Sequence, residues 1–250
     1  MSIRYTRDNI YNIINQLETA RDITAFCRSN LQIYELCQKD QLIHQLIISK
    51  RIHFYENMSN PRYTLLNAIE AGDLEVVNEL LNMGFKLIGD ELIRAIERNN
   101  LPIFERILKD PRVDPSDRYD FPLKKAILKN NPEIVKILLK DQRVNPDKEL
   151  FMLAVMLNEP EIINLLLDYV KPNFDDNQAI ITASFNGYTD IVDLLLKDET
   201  VDPTARNNLA ITYASINNRI PIVKRLLNDK RVLNSLYNEL KDKYLKQLHK

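Results

Sequence analysis

The sequence predicts an all-α solenoid, in which short helix pairs stack side by side. The segment AILKNNPEIVKILL, residues 126–139, is one of six related copies, which align without a gap. Each copy begins at an anchor alanine, and the copies lie 27 to 31 residues apart. A fixed motif at a period near thirty residues is typical of stacked helical repeats. The anchors of repeats one to six are Ala68, Ala95, Ala126, Ala154, Ala183 and Ala214.

Each copy contains the end of one helix and the start of another. Four residues after the anchor the chain has only glycine or asparagine, which tolerate the left-handed backbone of a helix C-terminus. These residues are Gly72, Asn99, Asn130, Asn158, Gly187 and Asn218. Prolines suited to a first helical turn follow at 102, 132, 160 and 221, and Asp73, Asn131 and Thr189 are candidate N-caps.

The second helix of each copy carries apolar pairs four residues apart, as in Ile134 and Val135 with Leu138 and Leu139. Such spacing places one broad apolar stripe on the helix. Two short antiparallel helices are therefore predicted for each copy. Neither helix buries its stripe without neighbouring copies.

The repeated motif resembles the ankyrin repeat, whose core reads roughly L-x-L-A-A-x-x-G-H-x-x-I-V-x-L-L-L. The linking segments KDPRVDP, KDQRVNP and KDETVDP hold the valine and the Asp or Asn of that family's outward hairpin. The family's Thr-Pro-Leu-His opening is missing, and only its leucine position survives, as Leu65, Leu92, Leu123, Phe151, Ile180 and Ile211. The resemblance covers residues 63–234. It implies an ankyrin-type solenoid that binds a protein partner on its concave face.

One column of the repeat is not explained by burial within a repeat. Two residues after the anchor, it reads Glu70, Glu97, Leu128, Met156, Phe185 and Ile216. On an α-helix this position points about 150° away from the apolar face of its own repeat. The resemblance places it on the concave groove, with partner-binding residues Leu128, Met156, Leu157, Phe185, Asn186 and Ile216. The alternative is that each side chain leans on the neighbouring helix.

Residues 1–60 lie outside the repeat and are predicted to form three helices. The segment ARDITAFCRSNLQIYELC, residues 20–37, resembles the F-box-like heads that precede ankyrin arrays in proteins of large DNA viruses. That resemblance implies that the head recruits a cullin-type ubiquitin ligase through its adaptor subunit, with Ile14, Ile23 and Phe26 as contacts. The usual Leu-Pro entry of such heads is absent. The alternative is a cap that covers the first repeat, as every solenoid requires.

The predicted organisation is therefore a head (1–60), six ankyrin-type repeats (61–232) and a C-terminal capping helix (233–250). The last segment has apolar residues at four-residue spacing and a lysine-rich polar face. Its apolar residues are Leu236, Leu240, Tyr244 and Leu248.

Composition favours a cytoplasmic protein, or one of the host cytoplasm if the chain is viral. The net charge of −1 gives no electrostatic case for nucleic acid, and no apolar run approaches the roughly 18 residues of a membrane helix. The N-terminus lacks a signal-peptide pattern. Only two cysteines, Cys27 and Cys37, in a chain of this size predict a reducing compartment without a disulfide framework. Both fall on apolar helical faces, which predicts that they are buried.

No motif for catalysis, a cofactor or a metal is found. Four glycines leave no phosphate-binding loop, and the three histidines, at 44, 53 and 249, have no Cys or acidic partner at a metal-ligand spacing. The sequence therefore predicts a binding protein and not an enzyme. Two hypotheses follow: a substrate adaptor of a ubiquitin ligase, or a stand-alone ankyrin scaffold.

Overall fold

A computed structural model describes residues 6–17, 20–29, 31–58, 60–236 and 244. Every regular element in these ranges is helical, and they contain no strand. The predicted all-α class is confirmed. The chain divides into two units, the N-terminal unit 1–114 and the C-terminal unit 115–250, which are described in turn.

The N-terminal unit holds the head and repeats one and two. The head contains α1 (Arg7–Gln16), α2 (Ala20–Arg28), α3 (Leu31–Lys39) and α4 (Gln41–Met58). A 3₁₀ turn (Pro61–Tyr63) leads to α5 (Thr64–Ala71) and α6 (Leu74–Asn82) of repeat one, then α7 (Glu91–Glu97) and α8 (Leu101–Leu108) of repeat two. Within this unit α5 contacts α7, and α6 contacts α8.

The head has four helices, so the prediction of three is wrong. The apolar pattern runs from Ile23 to Cys37 without a break, but the chain turns near Ser29, whose hydroxyl donates a hydrogen bond to the carbonyl of Phe26 at 2.7 Å. Asp40 then caps α4, because its carboxylate accepts from the backbone N–H groups of residues 42 and 43. The four helices surround a shared core, which contains Ile10, Ile14, Ile23, Cys27, Ile33, Cys37, Ile43 and Ile47.

The two cysteines are buried as predicted, but the prediction of no disulfide is wrong. Cys27 of α2 and Cys37 of α3 are bonded through their sulfur atoms, with their Cα atoms 6.0 Å apart. This Cα separation lies within the usual range for a disulfide. The bond joins the two shortest helices of the head.

The C-terminal unit holds repeats three to six as four helix pairs. These are α9 (Asp117–Leu128) with α10 (Pro132–Leu138), α11 (Lys148–Leu157) with α12 (Pro160–Leu166), α13 (Phe174–Asn186) with α14 (Thr189–Leu195), and α15 (Ala205–Ile216) with α16 (Ile220–Asn228). The first helices α9, α11, α13 and α15 contact one another in this order, and so do the second helices. Each pair therefore packs against the next one, as the repeat pattern predicts.

The glycine and asparagine column ends the first helix of every repeat, as predicted. All six residues have a left-handed backbone, with φ between 47° and 92°. The Asp73 and Asn131 side chains accept hydrogen bonds from the N–H groups of Val76 and Ile134, which confirms both as N-caps. The prediction of Thr189 as an N-cap is wrong, because Thr189 is the first residue of α14. Tyr188 stands at the cap position and makes no side-chain capping bond.

The first helix of three repeats begins with a left-handed turn in place of the hairpin that the resemblance implied. Three successive residues have positive φ in each case: 118–120, 175–177 and 206–208. The third residue is Asp120, Asn177 or Asn208, types that tolerate this backbone through local hydrogen bonds. The side chain of Asn177 accepts the backbone N–H of Asp202 at 2.7 Å, and that of Asn208 accepts the Ser235 hydroxyl at 2.7 Å. The turns therefore also link each repeat to the next segment.

The predicted C-terminal cap begins earlier than residue 233. Helix α17 (Lys230–Ser235) contacts α16 and is capped by Asp229. Leu236 and Tyr244 are buried, and the Tyr244 hydroxyl lies 3.3 Å from that of Thr212 in α15. The predicted apolar residues Leu240 and Leu248 lie outside the described residues.

Replacing Ala126 or Ala154 with leucine should lower the free energy of unfolding by about 1–3 kcal/mol, because added methyl groups overpack a close helix contact. All six anchor alanines are fully buried. Urea denaturation followed by circular dichroism measures the effect. Ala71→Leu is the matched control, since Ala71 is exposed at the end of α5. An unchanged midpoint in both anchor variants would show that this column is not a packing contact.

Candidate partner-binding site

The apolar ladder, defined as Leu128, Met156, Phe185 and Ile216, is exposed in the C-terminal unit. The exposed fractions of these residues are 48%, 62%, 47% and 72%. Each residue occupies the same position on one of the four neighbouring first helices α9, α11, α13 and α15. The four side chains therefore form one row across the four repeats.

The ladder residues stay accessible beside the neighbouring first helices. At Phe185 the side chain does reach the neighbouring repeat, because its ring meets the Tyr213 ring edge-on at 5.5 Å between centroids. Even so, nearly half of Phe185 stays accessible. By contrast, Ala183 and Ser184 on the opposite face of α13 are fully buried. The helix thus separates a core face from an exposed apolar face.

Leu157 and Asn186 were also predicted to bind a partner beside the ladder, and the structure gives the two residues different environments. Leu157 is 40% exposed and extends the apolar surface next to Met156. Asn186 is half-buried, and its amide nitrogen donates to the carbonyl of Thr182 at 3.0 Å. Asn217 makes the same bond to Tyr213 at 2.8 Å. These asparagines satisfy carbonyls at the helix ends, and this bond uses one donor of each amide.

A cavity of about 550 Å³ lies beside the ladder and was not predicted from the sequence. Met156 forms part of its wall, and Tyr119, which is 98% exposed, stands in the left-handed turn at its rim. The Phe121 ring is contacted by two cations, with the Arg118 guanidinium and the Lys125 ammonium each 5.4 Å from its centroid. The remaining wall comes from Lys124, Asp147, Glu149, Leu150, Met152 and Leu153. The site thus combines an apolar floor with charged edges.

The same column is charged in the N-terminal unit. Glu70 and Glu97 take the ladder position in repeats one and two, and both pair with Arg94, at 3.2 and 3.5 Å. Arg98 also contacts Glu70 at 3.6 Å. An exposed apolar surface at this position is therefore a property of repeats three to six.

The acidic residues of the linking segments fix turns. Arg143 hydrogen-bonds the carboxylate of Asp141 and lowers the pKa of Asp141 to about 2. Equivalent pairs join Asp110 to Arg112 and Asp229 to Arg231. In both of these pairs the arginine also donates to a backbone carbonyl of the preceding repeat, at Phe85 and Val201. These carboxylates therefore act in the architecture of the repeats.

The linking segment after repeat four, residues 168–178, differs from the others in sequence. Its two aromatic residues have different roles. Tyr169 is half-exposed and donates its hydroxyl to the carbonyl of Leu139 at 2.8 Å, a contact like those of the arginines. Phe174 is half-buried and meets the Phe151 ring edge-on at 5.7 Å. Of the two, only Tyr169 contributes a largely accessible ring.

The head residues predicted to contact an adaptor are not on the surface. Ile14 and Ile23 are 0% and 1% exposed within the head core, so they are unavailable to a partner while the head keeps this fold. Phe26 is partly buried and packs against the same core. The residues that the F-box-like resemblance implied as contacts therefore belong to the head's own interior or pack against it.

The described residues contain no group of three or more His, Cys, Asp or Glu side chains that could hold a metal ion. Likewise, none of the helices in the described ranges is long and apolar enough to cross a membrane.

The comparison with protein families decides the identity of the repeats. A family model described as ankyrin repeats (3 copies) matches residues 92–176 and 151–236, which together make up more than half of the chain. The chain belongs to the ankyrin repeat family. The match includes the whole apolar ladder and begins within repeat two of this ankyrin array, so repeat one and the head lie outside it. No curated protein matches the chain.

Proposed function

We propose that this ankyrin protein is a protein–protein interaction module whose partner places an apolar segment on the ladder of repeats three to six. The observation that carries the proposal is the ladder itself: four exposed apolar side chains at one position of four successive repeats. Contiguous exposed apolar surface usually marks an interaction site. Membership of a family of binding modules supports a protein as the partner.

The ladder also has the composition expected of an interface centre. Methionine and aromatic residues are enriched in interfaces, and a few buried anchors supply most of the binding free energy. Met156 and Phe185 occupy the two central repeats of the row, and the neighbouring cavity, of about 550 Å³, has the volume to accept a partner side chain. We expect these two residues to be the anchors.

The test uses a displayed library of random peptides selected on the purified full-length chain. Selected peptides should be enriched in apolar and aromatic residues. The double variant Met156→Ser/Phe185→Ser should weaken their binding by at least about thirtyfold, since each anchor contributes about 1–2 kcal/mol or more. Binding would be measured by fluorescence anisotropy.

Two controls make this test decisive. Met83→Ser changes an exposed methionine of the N-terminal unit, 67% accessible, and should leave binding unchanged. Urea denaturation of the double variant should show nearly unchanged stability, because accessible side chains contribute little to folding. A loss of 2 kcal/mol or more would show that the row serves packing, and equal peptide affinity in all variants would reject the ladder as a site.

The finer hypothesis of a ubiquitin-ligase adaptor receives no support from the described contacts of the head. Burial of Ile14 and Ile23 favours the alternative, in which the head packs on repeat one and covers it. Helix α4 does contact α5 and α6 in this way. We therefore place the binding function on the repeats and keep ligase recruitment as a hypothesis, to be tested by capture of the adaptor with the full chain.

We further propose that the protein has no catalytic activity, binds no cofactor or nucleic acid, and works in the cytoplasm. The near-neutral net charge supports the proposal that the protein binds no nucleic acid. The structural role of acidic residues such as Asp110 and Asp229 supports the proposal that the protein has no catalytic activity.

A further inference from the structure

The bonded cysteine pair lies on the wall of a cavity in the N-terminal unit. The cavity has a volume of about 390 Å³. Cys27 and Cys37 form one side together with Tyr34 and His44, and residues 72–75 of repeat one form another. The pair is therefore placed where the head meets repeat one.

The two sulfur-bearing residues differ in accessibility. Cys27 is 8% exposed and Cys37 is 1% exposed. Both residues line the cavity, and Cys27 is the more accessible of the two. Thiol–disulfide exchange requires such access, since the attacking thiolate must reach one of the sulfur atoms.

The charges around the pair suit exchange chemistry. Arg28 and His44 lie on the cavity wall, and a nearby cation such as the Arg28 guanidinium favours the thiolate form of a cysteine. The third basic residue, Arg51, is bound by Asp73 and Glu75 and so contributes less. The carboxylates of Asp73 and Glu75, which pair with Arg51, also lie on the cavity wall.

We propose that Cys27 and Cys37 form a thiol–disulfide exchange site for low-molecular-weight thiols such as glutathione. The thiolate of one glutathione attacks the Cys27 sulfur, the bond between Cys27 and Cys37 breaks, and Cys37 leaves as a thiolate that takes up a proton. A second glutathione then attacks the glutathione sulfur of the mixed disulfide and releases Cys27. Two protein thiols and one oxidised glutathione result, and the reverse sequence closes the bond.

Opening this bond should loosen the head. Helices α2 and α3 have nine residues each, and the disulfide is their only covalent cross-link beyond the backbone. A disulfide restricts the open states of the segment that it closes. We expect amide hydrogen exchange in α2 and α3 to become at least about tenfold faster after reduction, while α11 and α12 keep their rates.

The first experiment uses the native full-length chain in buffers of reduced and oxidised glutathione, with alkylation and intact-mass analysis. The expected result is a reversible change of two thiols, together with faster exchange in α2 and α3 on reduction. The proposal is overturned if the bond opens only in denaturant, if both cysteines stay reduced at every ratio, or if reduction leaves exchange unchanged.

The second experiment tests the route of attack with two matched variants. In Cys37→Ser the remaining Cys27 should form a mixed disulfide with oxidised glutathione at least about tenfold faster than Cys37 does in Cys27→Ser, because it is more accessible. Equal or reversed rates would overturn attack through the cavity. Circular dichroism checks that both variants fold. If one variant does not fold, the hydrogen exchange of α2 and α3 in the reduced wild-type chain still tests the proposal.

Discussion

Replacing Asp73 with alanine should lower the free energy of unfolding of the N-terminal unit by about 3–5 kcal/mol, the scale expected when one partner of a buried ion pair is removed. Asp73 is buried, and its carboxylate accepts from the Arg51 guanidinium, the Tyr55 hydroxyl at 3.0 Å and the backbone N–H of Val76 at 3.2 Å. The substitution would remove all three contacts at once.

The partners of Asp73 show why the loss is large. Arg51 is only 12% exposed at its side chain, so it would keep a buried charge with Glu75 as its remaining carboxylate. Burial lowers the pKa of Arg51, but the hydrogen bonds that Arg51 donates to the carboxylates of Asp73 and Glu75, together with their negative charges, outweigh burial and raise the pKa overall. Burial, reinforced by the charge of Asp73, raises the pKa of Tyr55. Asp73 thus compensates two buried polar groups of α4 and caps α6 as well.

Hydrogen exchange of α4 and α6 in the full chain measures this prediction within one unit, since a chain of two units need not unfold in a single step. Glu75→Ala is the matched control. The Glu75 side chain is 46% exposed, so this variant should cost less than about 1 kcal/mol. Asp73→Asn, which keeps a capping oxygen, should fall between the two. Equal protection in Asp73→Ala and wild type would contradict the assigned network.

The helix ends could be predicted because residue type and backbone conformation coincide there. Glycine and asparagine are the residues that accept the left-handed backbone at low cost, so this column specified its own geometry. The column of residues at the N-cap position of each second helix could have been found by the same reasoning. It lies five residues after each anchor, which assigns Asn100 correctly and places Tyr188, not Thr189, at the N-cap position of α14.

The cavity beside Met156 could not be predicted in this way. It depends on the left-handed turn that positions Tyr119, and only the third residue of that turn, Asp120, is of a type that favours such a backbone. A weak signal does exist: the third turn residue lies three positions before the leucine column, where Asn177 and Asn208 also occur. In repeat four this position is Lys148, and no left-handed turn forms there.

The head shows what periodicity leaves undetermined. Apolar spacing located the interior residues Ile14 and Ile23 correctly but could not tell a buried face from a partner-binding one. For the cysteines, the spacing again predicted burial. Whether their sulfurs bond depends on how α2 and α3 pack, and ten residues of separation in sequence do not specify that distance.

Replacing Phe151 with alanine should destabilise the C-terminal unit by about 3–5 kcal/mol, the range for removing a buried aromatic ring. Phe151 is fully buried at the leucine position of repeat four, and its ring meets that of Phe174 in the next repeat edge-on. The substitution would leave a void between two repeats. Stacked repeats depend on such contacts with their neighbours, so the loss should spread beyond α11.

Two control variants separate the void from other effects. Phe174→Ala removes the half-buried partner ring and should cost about 1–2 kcal/mol, because less apolar area leaves the interior. Phe151→Leu restores the residue usual in this column and should cost less than about 1.5 kcal/mol. Urea denaturation followed by circular dichroism, with hydrogen exchange of α11 and α13, measures all three. If Phe151→Ala were no more harmful than Phe174→Ala, the leucine column would not be the main packing contact between repeats four and five.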